Sequence, residues 1–326
     1  MTQGLLQLAT TGTVSGLQNN QAANTALAAL AGMIQGGSAP TPASTGLAST
    51  AGVWWHDTTN NQVKLRDQAD ANWMPVGSVD ETNKLVLLLL RSYLAGLTLS
   101  NDGTSPNTVI DVSAGICADD ANVAMLNLPS GQTINGATTG AGGLDTGSLA
   151  ASTWYHAFVI GKPGGGAGAL LASTSLASPV FPTGYTLKRR IGSFKTDASA
   201  HILGFIQVGD IFRWSAPPFD LNAVSVSTTY ANFTISVPPG VQVEAFGNCF
   251  IQGSAIIQIR PPGATDGTPS NSASPVGMGV GGGTANGSSM KWFCLTDSSQ
   301  HLSIGAGSAT IFSLTTEGWR DTRGKV

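Results

Sequence analysis

Charge is what this sequence has least of. Fifteen Lys and Arg with 18 Asp and Glu make up 10% of 326 residues, where an ordinary soluble domain carries roughly 25%. The net charge of −3 leaves no basic field for a phosphate backbone, so a nucleic-acid partner is not expected. Long apolar runs are missing too. Leu85 to Leu90 stops at Arg91, far short of the ~20 residues that cross a bilayer, so no membrane insertion is expected. The first basic residue is Lys64, which gives no basic start for a secretory leader and implies folding in a cytoplasm. Cysteine is scarce as well. Cys117, Cys249 and Cys294 are an odd, widely separated set, which suits neither a disulfide framework nor a zinc motif and predicts three reduced, buried thiols.

Glycine, 42 residues, fills much of the space, and the 41% of hydrophobic residues is too many for a disordered chain. The length suits two or three domains. Residues 1–56 hold no charged side chain. Within them Leu17 to Ile34 has Leu27, Leu30 and Ile34 at helical spacing, a stripe too short to be stable alone and therefore expected to pack in a larger assembly. Gly36 to Thr50, with Pro40 and Pro42, reads as a linker. Between Val53 and Val76, short runs around Trp54-Trp55, Val63 to Arg66 and Trp73-Met74 predict a small β-meander. Asp80-Glu81-Thr82 before the leucine run predicts a second helix over Asp80 to Leu94, buried on every face.

From Gly96 onward the pattern is β. Runs at Thr108–Val112, Trp154–Ile160, Ile202–Val208, Ile211–Trp214, Phe233–Val237, Val241–Phe246, Ala255–Ile259 and Thr310–Leu314 argue sandwiches or barrels. Pro217-Pro218 marks a boundary. The expected domains are 1–50, an attachment segment; 51–96, a β module plus helix; 97–216, a β domain; and 217–326, a C-terminal β-sandwich. Gly136–Gly147, Gly161–Gly168 and Gly277–Gly287 read as loops, and no long-period repeat is apparent.

Chemistry is sparse. Gly277-Met278-Gly279-Val280-Gly281-Gly282 matches a dinucleotide fingerprint but has no strand-to-helix context and no following acid. No Gly-x-Ser-x-Gly occurs, and His56, His156, His201 and His301 are scattered. Asp119-Asp120 reads as a polar turn. Glu244, Asp266, Asp297, Glu317 and Asp321 carry no surrounding motif, so a glycan-cleaving carboxylate pair is undefined by sequence. Lys188-Arg189-Arg190 with Lys195 is the one basic cluster and reads as a solvated strand edge. Catalytic, metal and cofactor residues are therefore none. Outward-facing loops at Pro261 to Ser289, or turns near Tyr230 and Trp319, are the candidate contact regions, although core packing explains any single aromatic better.

One resemblance bears on function. Asp57-Thr58-Thr59-Asn60-Asn61-Gln62-Val63-Lys64-Leu65-Arg66 followed by Trp73 resembles a small module of tailed-bacteriophage fibre and appendage proteins. Ala118-Asp119-Asp120, Ala151 to His156 and Arg189 to Phe194 are similar to segments of phage structural proteins. The resemblance implies a homotrimeric virion fibre: an N-terminus bound to other virion proteins, a slender neck, and a β-rich head meeting a bacterial surface glycan or outer-membrane protein. It implies a virion location and no catalytic residue. A capsid-attached head fibre or decoration protein, and a short tailspike that cleaves polysaccharide, are the alternative readings. The expected fold is mainly β, with short N-terminal helices, a small β neck and two sandwich or barrel-like domains in an elongated homotrimer.

Overall fold

A computed structural model describes residues 35–40, 52–252, 255–265, 267–270, 279–282 and 287–325. The expected helix at Leu17–Ile34 and most of the following linker lie outside these residues. The chain is mainly β, and no helix occurs among the described residues.

The first sheet is a meander in strand order: β1 (Gln35–Gly36), β2 (Trp54–Asp57), β3 (Gln62–Arg66), β4 (Trp73–Asp80) and β5 (Leu85–Leu88). The predicted meander is present, and the helix expected over Asp80 to Leu94 is not. Asp80 ends β4, and its carboxylate accepts the Asn83 backbone N–H at 3.0 Å and the Asn83 amide at 2.8 Å. Lys84 takes a left-handed φ of 58°, and the leucines then pair back on β4, Val79 opposite Val86 and Gly77 opposite Leu88. An acid before an apolar run marks a helix start or a turn equally well, and here the side-chain turn wins.

Ten strands form the second sheet: β6 (Leu94–Gly96), β7 (Leu99–Asn101), β8 (Val109–Val112), β9 (Gly115–Ala118), β10 (Met125–Leu128), β11 (Gln132–Thr139), β12 (Gly143–Leu144), β13 (Trp154–Gly161), β14 (Gly166–Ser173) and β15 (Leu187–Lys195). Along one edge β14 pairs antiparallel with β13, and its other edge is divided between β10 and β12, both parallel to it. Every residue of β13 is buried.

The remaining strands are β16 (Phe205–Val208), β17 (Ile211–Trp214), β18 (Phe219–Val226), β19 (Ala231–Thr234), β20 (Glu244–Gln252), β21 (Ile256–Arg260), β22 (Gly279–Gly282), β23 (Ser288–Leu295), β24 (His301–Ala306) and β25 (Thr310–Arg320). They make a six-stranded sheet, β16-β17-β25-β20-β23 with β18 also on β25, and a four-stranded sheet, β19-β24-β21-β22. Apolar side chains from the two sheets share one core, as in a sandwich. Because β16 and β17 pair into the six-stranded sheet, the sheet boundary falls before Phe205 rather than at Pro217-Pro218. The prolines instead open β18, where a missing N–H is tolerated.

The second and third sheets are sealed to each other by rings and charges. Trp154 lies 5.6 Å from Trp214 and 5.7 Å from Trp319, and Phe212 stacks on Trp319 at 5.3 Å, measured between ring centroids. Beside them Arg190 on β15 donates two hydrogen bonds to Asp321, at 2.7 and 2.6 Å. Arg323 donates to Asp210 at 3.0 Å and to the Leu97 carbonyl at 3.1 Å. The basic cluster is therefore no solvated edge: Arg189 is 4% and Arg190 8% exposed. Arg190 is held by its pairing with Asp321, and a paired guanidinium tolerates such burial.

Candidate functional site

Two surfaces stand out, and each follows from strand alternation. On the first sheet, the face turned toward the second sheet carries a row of polar groups beside Leu87, which packs on Ala118 and Met125. Ser78 Oγ accepts the Met125 N–H at 2.8 Å, the Asn127 amide donates to Asp80 at 3.1 Å, and the Gln62 amide donates to the Val123 carbonyl at 3.0 Å. Hydrogen bonds from Asn83 and Asn127 hold the Asp80 carboxyl below its ordinary range, although burial alone raises it. The seat is the β13–β14 turn, Gly164 to Gly166, in which every φ is between 84° and 87°. A Cβ on Gly165 would meet the Met125 carbonyl at 2.3 Å, so only glycine allows this approach. The opposite face is apolar and open: Trp54 is 50% exposed, Met74 42%, Val86 59% and Leu88 63%. Cross-strand pairs place Trp54, Leu65 and Met74 side by side, and Val79 beside Val86. This sheet buries Asp57, Gln62, Ser78 and Asp80 with Trp55 and Leu87, and leaves large apolar side chains open on its other side.

The second surface is the outer face of the six-stranded sheet. Phe246 and Phe293 are cross-strand partners, as are Asn248 and Lys291. Thr315 pairs with Asn248 and with Phe219. A shallow trough of about 290 Å³ runs here between Phe219 and Phe250 over Asn248, Ser289, Ser313 and Thr315. At its head Glu317 accepts from Lys291 at 2.5 Å and from the Asn248 amide at 2.6 Å, and faces Arg213 at 3.6 Å. The Arg213 guanidinium also lies 5.1 Å over the Phe246 ring. Phe219 and Phe293 are 55% and 57% exposed, and Lys291 and Arg213 are exposed too.

The sequence candidates fall mostly elsewhere. His156 meets Ser193 Oγ at 2.9 Å, and Arg190 donates to the same oxygen at 3.2 Å. Both partners are buried, and burial, then Arg190, pushes the imidazole down to about 4. The nearby Asp321 pairs with Arg190 rather than with the histidine, so no triad forms. His201 and His301 bond Asp197 and Asp297 within turns, and His56 approaches Glu81 at 4.0 Å. Asp119 closes its own turn onto Val123 and Ala124, as read from sequence, while Asp120 pairs with Lys188 at 2.8 Å. Glu244 pairs with Arg320 at 3.1 Å, and Asp266 lies outside the described residues. The glycine fingerprint ends on strand β22 rather than at a helix start. Trp319 is wholly buried on β25, while Tyr230 is half-buried and lies against Gln258 and Arg260.

Burial drives all three thiols up to about 12, as expected of buried small hydrophobes. Asp111 is the one carboxyl among the described residues raised above its ordinary value, by burial and then by Asp102. Two carboxyls in hydrogen-bond contact are closer than the ~5 Å that glycoside hydrolysis uses. Among the described residues, no group of three or more metal-ligating side chains gathers. Of the acids read from sequence, Glu317 alone sits at the centre of an open surface. The sequence signal for Phe219, Phe250 and Phe293 is the alternation of exposed and buried positions along β18, β20 and β23, which extends beyond the apolar runs that sequence singles out.

Searches against family models, curated proteins and solved structures returned no match.

Proposed function

We propose that this chain is one subunit of a homotrimeric attachment fibre of a tailed phage. In this reading residues 1–50 join it to other virion proteins, residues 51–96 form an intertwined neck, and the C-terminal sandwich meets a bacterial surface glycan. The reading rests on the inverted sheet. A face carrying Trp54, Met74, Val86 and Leu88, backed by a face that buries Asp57, Gln62, Ser78 and Asp80, is stable in water only when other apolar surface covers it. Copies of the same chain supply that surface without a second gene product, and cyclic symmetry closes the set. The Asp57-to-Arg66 hairpin that carries the phage resemblance is part of this same sheet.

Sedimentation or light scattering on the full chain tests it. The expected mass is three times 33.1 kDa, unchanged on dilution to micromolar protein. A stable monomer at that concentration overturns the reading.

A further inference from the structure

We propose that the outer face of the six-stranded sheet is a binding platform for an oligosaccharide bearing carboxylate groups. It deepens the attachment reading by naming the ligand class, and it rests on that reading only for biological setting.

The argument starts from what the face offers. Phe219, Phe250 and Phe293 stand out from the sheet with much of their rings open. Phe246 is different, because Arg213 already covers its ring. Exposed aromatic rings carry a negative π-face, to which the polarised C–H faces of a pyranose are complementary. Between the rings the floor is hydroxyl and amide: Asn248, Ser289, Ser313 and Thr315, groups that both donate and accept and so match sugar hydroxyls. A trough of about 290 Å³ sits at the lower limit of small-molecule sites, which suits a chain laid across the sheet with one or two rings settled in it.

Charge narrows the ligand. Glu317 is largely buried, 16% exposed, and its two oxygens are engaged by Lys291, Asn248 and Arg213. Lys291 and Arg213 are 69% and 57% exposed, and one carboxylate cannot use all the N–H groups of an ammonium and a guanidinium. Glu244 and Arg320, the other charged pair on this side, neutralise each other. Two cations against one carboxylate leave a positive excess beside the rings, held in place by Glu317 and by the Phe246 face. That arrangement complements an anionic sugar and gives a neutral one nothing extra. A planar carboxylate fits the guanidinium fork.

The experiment titrates the full chain with oligogalacturonate and, separately, with maltohexaose. Oligogalacturonate is expected to bind, more weakly as salt rises, and maltohexaose at least tenfold more weakly. Phe293→Ala and Phe250→Ala should each weaken binding roughly tenfold, the usual scale for an aromatic anchor. Lys291→Gln, which leaves Arg213 and Asn248 on Glu317, should weaken oligogalacturonate alone. Glu317→Gln should strengthen it, because it frees both cations, a change opposite in sign to any loss from misfolding. Equal binding of the two sugars, or binding of neither, overturns the proposal. So does a change of oligomeric mass in Phe293→Glu, which would make this face a contact between copies. The mass of the unmodified chain reports on the fibre reading separately, so the two failures are distinguishable.

Discussion

Arg190 and Asp321 are 131 residues apart in sequence and share two hydrogen bonds in the core. Removing one partner leaves the other as an uncompensated buried charge, which costs about 3–5 kcal/mol. Asp321→Ala is therefore expected to lower stability by that amount in denaturant titration. Replacing both by apolar residues of similar volume should recover much of it, since charge desolvation then disappears with the pair. His156 gives the same junction a pH dependence. Its pKa falls from 6.5 unfolded to about 4 folded, so between these values the unfolded chain binds the extra proton. Stability therefore falls as pH drops from 6.5 toward 4, and His156→Gln should flatten melting temperature against pH in that window. The carboxylates of Asp57 and Asp80 are held low by hydrogen bonds that outweigh burial, so their stabilisation is lost only at lower pH, and the two effects separate.

Elements show how far local sequence carries. The β2–β3–β4 meander was legible because Trp54-Trp55, Val63 to Arg66 and Trp73 alternate between turn residues. β13 and β17 were legible as apolar runs. β5 was not, because Leu85-Val86-Leu87-Leu88 looks the same in a buried helix and in a strand with one naked face. β14 and β15 were hidden by composition: one begins in a glycine run, and the other carries three basic residues near its start, of which Lys188 pairs with Asp120 and Arg190 with Asp321, partners remote in sequence. One signal was present and unread. Thr196-Asp197-Ala198-Ser199-Ala200-His201 and Thr296-Asp297-Ser298-Ser299-Gln300-His301 fold identically. In both, Asp Oδ1 accepts the N–H two and four residues on, and the fifth residue has a positive φ, 62° at Ala200 and 68° at Gln300. Each threonine hydroxyl also bonds the residue before an antiparallel partner strand, Thr153 or Val243. For the naked sheet, Leu88→Lys is expected to release monomers, because a charge at a packed apolar contact cannot be solvated. Sedimentation would read the mass, and circular dichroism the retained strand signal.

At the scale of the molecule, polar and apolar surfaces are arranged in opposite senses at the two ends of the described chain. The first sheet buries four polar side chains beside Trp55 and Leu87, and leaves Trp54, Met74, Val86 and Leu88 open. The sandwich buries its apolar side chains and mixes rings with hydroxyls and charges outside. On the proposed homotrimer reading the low charge of the sequence follows from this division, since a face closed by other copies has no use for charge. The residues that make the platform could not be grouped from sequence, because Phe219, Phe250, Phe293 and Glu317 meet only when β18, β25, β20 and β23 lie side by side.

That arrangement also sets an order of events during synthesis. β17, β18 and β20 all bond to β25, and Arg190 and Asp210 wait for Asp321 and Arg323. Most of the six-stranded sheet thus has no centre until Thr310 to Arg323 has left the ribosome, and for that interval β20 has only β23 to pair with and its other edge is open. β25 is the keystone, so a chain stopped before Thr310 would emerge with open strand edges and a high tendency to aggregate.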